Sequence, residues 1–278
     1  TTRGSLPRAV ISCISGSDIV VTQNAHITAY QEGTPFTIIP EVQGNNVDKE
    51  KVLALIREAV KSGSSELDLV ATGCYVTVSV TAEDAALKDL CDTMNRCRDM
   101  VITYQFGEQT IKLEGETICT WILGSTQEGL VDVNYDMAAA FVKSMADQFD
   151  TAGKTRAFHT TTGKDLNLTG PYGWQIDQAG ETASLIAMIR TGQSQLREPL
   201  YSKKAQDRTT DWGKTYVEID LTNQHVYMYQ DGNLAWDAPC VTGNVSKNYT
   251  TPEGIYSLTY KQTDRVLRGE KKADGTYE

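Results

Sequence analysis

The 278-residue sequence predicts an α+β fold: a mixed helix/sheet module with an internal strand–helix–strand repeat, followed by an all-β stretch. Three observations predict it. Helical periodicity appears in separate segments, each with a polar cap, set between short alternating strands. A block of sequence recurs at an offset of 129 residues. From Tyr216 onward the period is two residues only, broken by turns at 222–224 and at Asp231-Gly232.

The length suits about two domains. Hydrophobic residues make up 40% of the chain, enough for real cores, and with 22% charged and no low-complexity tract wholesale disorder is excluded. A net charge of −10 and a pI near 4.9 argue against nucleic acid as a partner, and against any anionic polymer held mainly by charge. Recognition through hydrogen bonds and stacking remains open. No run of about 18 apolar residues occurs, so no membrane span is expected. The opening Thr-Thr-Arg-Gly-Ser-Leu-Pro lacks a signal-peptide pattern, and the chain reads as trimmed at both ends. Six cysteines permit disulfides. Cys91 and Cys97, six apart on a helix, are separated by about 9 Å of rise and cannot bridge. No C-x-x-C pair exists, so neither a metal site nor a cofactor is expected.

In chain order, Ala9–Ile14 and Asp18–Val21 read as short strands, as do Ile27–Tyr30 and Phe36–Pro40 around Glu32-Gly33. Asp48 caps a helix with Leu53, Ile56 and Val60 on one face, stopped at Ser62-Gly63-Ser64, with Glu66–Ala71 returning as a strand. Thr81–Asp84 has the form of a capping box. Its helix carries Leu87, Leu90, Cys91, Met94 and Cys97 on one side, which makes both cysteines core residues. Val101–Phe106, Gln109–Leu113, Glu116–Leu123 and Leu130–Val133 follow as strands. Asp136 caps a helix with Met137, Phe141, Met145 and Phe149 as its apolar face, closed by Gly153.

The repeat comes next. Gly44-Asn45-Asn46-Val47-Asp48 aligns with Gly173-Trp174-Gln175-Ile176-Asp177, and without a gap Ile56 falls on Leu185, Val60 on Ile189, Gly63 on Gly192, Ser65 on Ser194 and Leu67 on Leu196. Both copies, about 36–71 and 166–200, read as strand, glycine turn, Asp-capped helix, glycine stop and strand. The domains expected are a module over 1–205, a linker over 206–213 and a β-rich part over 214–278.

That last part carries the most specific signal. Tyr216–Leu221 alternates with Val217, Ile219 and Leu221 on one face, and His225–Gln230 and Asn233–Val241 complete a meander. The order V-x-I-D-L-x-x-Q (217–224), Tyr229-x-Asp231-Gly232, Pro239-Cys240-Val241-Thr242-Gly243 and Thr251-Pro252-Glu253-Gly254 before Ile255–Leu258 resembles the opening of the YkuD-type L,D-transpeptidase catalytic domain. The repeat module resembles the peptidoglycan-binding domain that precedes YkuD domains in Gram-positive bacteria. The resemblance implies an extracytoplasmic enzyme of the cell wall or anchored outside the cell, with peptidoglycan as partner. It also implies a wall-binding module followed by a truncated all-β catalytic domain. In that family a cysteine in a Ser-His-Gly-Cys motif is acylated by a donor stem peptide and passes the acyl group to an acceptor amine. Here His26, His159 and His225 are followed by Ile, Thr and Val, so no such motif is present and no catalytic residue is assigned. The chain by itself is expected to be inactive. A non-catalytic wall-binding or adhesion protein is the alternative.

Cys240 could serve as a nucleophile only with His225 beside it; the simpler expectation is a small buried side chain. Glu218 and Asp220 read as the solvated face of a strand. Tyr172 and Trp174, in Gly170-Pro171-Tyr172-Gly173-Trp174, are the candidate binding residues, either stacking on sugar faces or plugging the loop from beneath. The meander's apolar residues need cover. This predicts docking on the module, or self-association through the sheet. Residues 259–278 are expected to be the less constrained end.

Overall fold

The computed structural model describes residues 19–64, 66–264, 266, 269 and 271–276. The expected strand at Ala9–Ile14, the start of the next at Asp18, the Ser65 match of the repeat and several residues of the expected loose end lie outside these. The chain forms two compact units, neither continuous. One gathers the chain up to Tyr104, Ile111–Ala139 and Thr182–Arg197; the other takes Gln105–Thr110, Ala140–Glu181 and the chain from Glu198 onward.

The first unit opens with a hairpin of β1 (His26–Ile27) and β2 (Ile38–Ile39). Asp48 then caps α1 (Lys49–Ser62), accepting from the N–H groups of Glu50 and Lys51, and Gly63 ends it in the left-handed region at φ 71°. No residue of α1 is buried. Residues 66–71 do not form the expected strand. The Asp68 carboxylate accepts from the Val70 and Ala71 N–H groups and winds the segment into a turn, a local bond that overrides strand propensity. Asp84 is itself the cap of α2 (Ala85–Asp99), accepting from Leu87 N–H, rather than the last member of a capping box. Leu90, Cys91, Met94 and Cys97 are its buried face. Asn95 grips the β1–β2 hairpin by both polar groups of Phe36, accepting from its N–H and donating to its carbonyl, each at 2.9 Å.

β3 (Val101–Phe106) and β4 (Gln109–Glu114) form a hairpin turned at Gly107. The expected strand at Glu116–Leu123 is instead α3 (Gly115–Cys119) followed by β5 (Ile122–Ser125). Gly115 is the reason. A Cβ there would lie 2.0 Å from the Arg98 carbonyl oxygen, so the backbone packs directly on the end of α2 and turns Ile118 and Cys119 inward. β6 (Val131–Val133) pairs with β5. α4 (Tyr135–Phe149) starts at Asn134, whose side chain accepts from the Asp136 and Met137 N–H groups, so Asn134 and not Asp136 is the cap. Its buried stripe is Ala138, Val142, Met145 and Ala146, one position round from the expected face, and Met137 is exposed.

β7 (Arg156–His159) and β8 (Asp165–Leu168) make the next hairpin. β9 (Gln175–Ile176) leads through Asp177 into α5 (Gln178–Ile189). β10 (Gln195–Arg197) runs parallel to β3, and β11 (Tyr201–Lys203) pairs back onto β9. The two copies of the repeat share their frame. Asp48 N–H donates to the Cys74 carbonyl and Asp177 N–H to that of Leu200, and the stops Gly63 and Gly192 sit at φ 71° and 64°. They differ in cover: Leu185 and Ile189 are fully buried, whereas their counterparts Ile56 and Val60 are exposed.

β12 (Tyr216–Asp220), β13 (His225–Gln230) and β14 (Asn233–Pro239) complete the chain's sheets as an antiparallel meander in that order. Asp231 and Gly232, at φ 51° and 83°, form the tight hairpin turn expected of Asp-Gly. Cys74, Cys91, Cys97 and Cys119 are buried, Cys240 is half-buried, and all five are free thiols. The Cys91 and Cys97 thiols donate to the carbonyls of Phe36 and Ile189. Among the described residues no helix is long and apolar enough to cross a membrane.

Candidate functional site

The second unit brings the β12–β14 meander against the β7–β8 hairpin, and the contact uses the face that the pattern marked as solvated. Glu218 is 7% exposed. Its carboxylate accepts from Thr161 N–H at 3.0 and 3.1 Å and from the Thr161 hydroxyl at 2.6 Å, and that hydroxyl also meets Tyr229 Oη at 2.9 Å. Around this knot Tyr216 stacks on Tyr229 at 4.9 Å, and Phe158 sets its edge against Tyr216 and Trp212. Burial pushes the Tyr216 phenol up, with Tyr229 and Glu218 adding to the effect. The opposite face carries Val217, Ile219, Met228 and Trp236, all exposed. The meander is docked, as its apolar content demanded, but by its polar side. A buried carboxylate with three hydrogen bonds is satisfied, whereas alternation says only which side chains share a face.

The landmark motifs of this stretch hold one another. Asp220 caps the β12–β13 turn, accepting from the Thr222 and Asn223 N–H groups at 2.9 Å, and these bonds with the Asn223 amide keep its carboxyl below the usual range. Gln224 accepts from Thr242 N–H at 2.8 Å and donates to its hydroxyl at 2.6 Å, joining V-x-I-D-L-x-x-Q to Pro-Cys-Val-Thr-Gly. Gly243 lies so close to the backbone of Tyr249 that a Cβ would fall 2.0 Å from its carbonyl oxygen. Thr-Pro-Glu-Gly then delivers Ile255 to the loop after β8: Ile255 N–H donates to Thr169 O at 2.9 Å, and Gly170 leaves no room for a side chain, its Cβ position being 2.1 Å from Ile255 O.

Cys240 is half-buried rather than buried, and it has no histidine base. His225 pairs with Pro239 across the β13–β14 ladder, so Cys240, one residue on, projects to the opposite side of the sheet. The His225 ring is engaged by Asp237, Nε2 to Oδ2 at 2.7 Å.

Tyr172 and Trp174 stand together beside residues 206–212. Trp174 is 9% exposed; its Nε1 donates to Asp207 O, and the Arg208 guanidinium lies 3.5 Å from the ring centroid. Arg208 also faces Tyr201 at 4.9 Å and Phe106 at 5.6 Å, with Phe106 stacked on Phe149 at 3.7 Å. Burial pushes the Tyr201 phenol up to about 12 against the pull of Arg208. Tyr172 Oη accepts from Gln206 N–H at 3.0 Å.

Beneath them lies a buried ion pair that no sequence pattern indicated. Arg156, 12% exposed, pairs with Asp211, 2% exposed, and donates to the carbonyls of Tyr172 and Gly170. Asp211 also accepts from the Thr151 hydroxyl at 2.8 Å. A cleft of about 240 Å³ opens beside the pair, lined by Arg156, Ala157, Arg208, Thr210, Asp211 and Trp212 among others. The missed residues sit in a stretch whose polarity reads as a linker; Trp212 between Asp211 and Gly213 was its one anomalous feature. Among the described residues no group of His, Cys, Asp or Glu is placed to hold a metal ion.

Asp150 lies in the same region. Burial raises its carboxyl pKa, opposed by the Ile176 N–H bond and by Lys154 and Arg208. A carboxyl raised on folding contributes stability below its unfolded pKa and loses it as pH rises through the folded value. Asp150→Asn, which keeps an oxygen for Ile176 N–H, is therefore expected to raise the melting temperature at pH 7 and to lose that advantage near pH 3.5. Thermal melts at the two pH values read the sign. A variant less stable at pH 7 than the parent would refute it.

Comparison with known proteins agrees with this geometry. Residues 85–197 match the family described as "Putative peptidoglycan binding domain", and residues 214–277 match the L,D-transpeptidase catalytic domain YkuD. No curated protein matches the chain. Two solved structures are similar to it: the Ldtfm–avibactam carbamoyl enzyme, at 26% identity over 69% of this chain and 74% of that one with a TM-score of 0.53; and a cysteine-to-serine mutant of the Enterococcus faecium L,D-transpeptidase, at 26% identity over 68% and 74% with a TM-score of 0.52. The region that grips β12–β14 falls in the first matched domain and the meander in the second. With a peptidoglycan-binding domain bonded directly to catalytic-domain strands, the chain belongs to the YkuD-type cell-wall L,D-transpeptidases.

Proposed function

We propose that residues 1–205 hold peptidoglycan while residues 214–278 begin the catalytic domain that cross-links it, with 206–213 as the packed joint. The observation that carries this reading is the Glu218–Thr161 knot, which bonds matched catalytic sequence to matched wall-binding sequence inside one compact unit. A joint of that kind fixes the direction in which bound glycan meets the catalytic sheet. The glycopeptide contact is the cleft between Arg156 and Trp212, with Tyr172 and Trp174 forming its floor. The setting is the outside of a Gram-positive cell, with the protein anchored at the membrane or wall.

In the reaction of the complete enzyme, a cysteine thiolate attacks the donor stem peptide's carbonyl and expels its terminal residue as an amine. The acceptor amine then displaces the thiol to form the cross-link. Cys240 is not that cysteine, because it lacks a base. Avibactam, which carbamoylates the similar Ldtfm enzyme, is expected to leave this chain unmodified. Intact mass spectrometry reads the result: a stoichiometric adduct on Cys240 overturns the assignment. Retention of the chain on insoluble peptidoglycan sacculi tests the binding function, and an unretained chain would refute it.

Two observations support secondary readings. The absence of a His-Gly pair in the 278 residues favours a wall-binding role for this portion in its own right. The open Val217/Ile219/Trp236 face favours self-association, which light scattering across a concentration series measures.

A further inference from the structure

We propose that the cleft at Arg156 and Arg208 takes the free carboxylate end of a stem peptide. The proposal rests on the peptidoglycan-binding reading and names the part of the glycopeptide that this site holds.

Charge is the first reason. The cleft is lined by two guanidinium groups and one carboxylate in a chain of net charge −10. Asp211 is committed to Arg156, whereas Arg208 forms no ion pair among the described residues and is held only by aromatic rings and the Tyr201 hydroxyl. The lining therefore keeps one uncompensated positive charge. Hydrogen bonding is the second. Arg156 Nε is buried with no partner, an unmet donor on a side chain whose other nitrogens are used. Native proteins seldom leave such a donor unmet, and a guanidinium presents its donors as a fork matched to a carboxylate or phosphate. Size is the third. At about 240 Å³ the cleft falls below the roughly 300–1,000 Å³ of drug-sized ligand sites, so it admits a terminal residue rather than a disaccharide. In peptidoglycan the anionic group at a chain end is the carboxylate of the stem peptide.

The test uses the 278-residue chain and a synthetic stem tetrapeptide, as the free acid and as its C-terminal amide, followed by calorimetry. The acid is expected to bind at least tenfold more tightly than the amide, and more weakly as salt is raised. Ala157, exposed on the cleft wall, accepts a new side chain without losing an existing contact. Ala157→Asp should lose at least tenfold in acid binding, and Ala157→Asn should stay within about twofold. Equal binding of acid and amide, or an Ala157→Asp variant that binds like the parent, overturns the proposal. So does a chain that binds inorganic phosphate and not the peptide acid, which would assign the cleft to a phosphate polymer. Sacculi retention separates the two levels. If the chain is retained but acid and amide are not distinguished, only this inference falls; if retention is lost, the peptidoglycan reading falls with it.

Discussion

Replacing Asp211 by asparagine is expected to lower the unfolding free energy by about 3–5 kcal/mol, the range for breaking one partner of a buried ion pair. Asparagine keeps the shape, and it tolerates the left-handed φ of 66° at this position better than most residues do. The loss is therefore that of the charge. Arg156 would be left cationic at 12% exposure, facing the carbonyls of Tyr172 and Gly170 and an amide where its counter-ion had been. Asp211→Ala should be worse still, because it adds backbone strain and strips the Thr151 hydroxyl of its acceptor. Urea unfolding followed by tryptophan fluorescence measures both, with Trp174 and Trp212 next to the pair. A loss below about 1 kcal/mol for Asp211→Asn would mean that the pair is solvated and that the cleft beside it is not the dry, charged site described above.

Glu218→Ala is expected to cost about 2–3 kcal/mol and to loosen one region selectively. The carboxylate's bonds to Thr161 are charge-assisted, and truncation leaves the Thr161 N–H without its acceptor. Hydrogen exchange should show protection falling in 216–230, while α2 and β3 keep theirs. The contrast lies across the same strand. Ile219→Thr, one residue along on the open face, should change stability by no more than about 0.5 kcal/mol. If Ile219→Thr proved the more damaging of the two, the sheet would pack through its apolar face, and the docking described here would be inverted.

That inversion shows what a sequence of this kind states and withholds. Strands 216–220, 225–230 and 233–239 were legible to within two residues at each end, because period-two alternation and the Asp-Gly turn are local signals. The cap at Asp48 and the helix face at Leu90, Met94 and Cys97 were legible for the same reason. Which face of the meander meets the protein depends on Thr161, 57 residues away, and no local pattern carries it. Arg156 and Asp211 are 55 residues apart and separately unremarkable. The strand expected at 116–123 became a helix because Gly115 lets two backbones touch, a tertiary fact written in one residue. The site was thus visible as a family of strands, and its chemistry became visible only when the chain was closed.

The buried cysteines bear on how such a chain survives export. Burial drives the thiol of Cys97 up to about 11 and that of Cys119 up to about 12, and that of Cys91 upward too. Thiolate is the species that attacks disulfides and oxidants, so at neutral pH roughly one molecule in ten thousand or fewer presents it at Cys97 or Cys119. Once folded, these two positions are kinetically silent in an oxidising compartment. The vulnerable interval is the unfolded passage, when the same thiols titrate near 8.5 and can be captured in mixed disulfides. Rapid closure of the α2 face, rather than an oxidoreductase, is then what protects the chain from covalent misassembly.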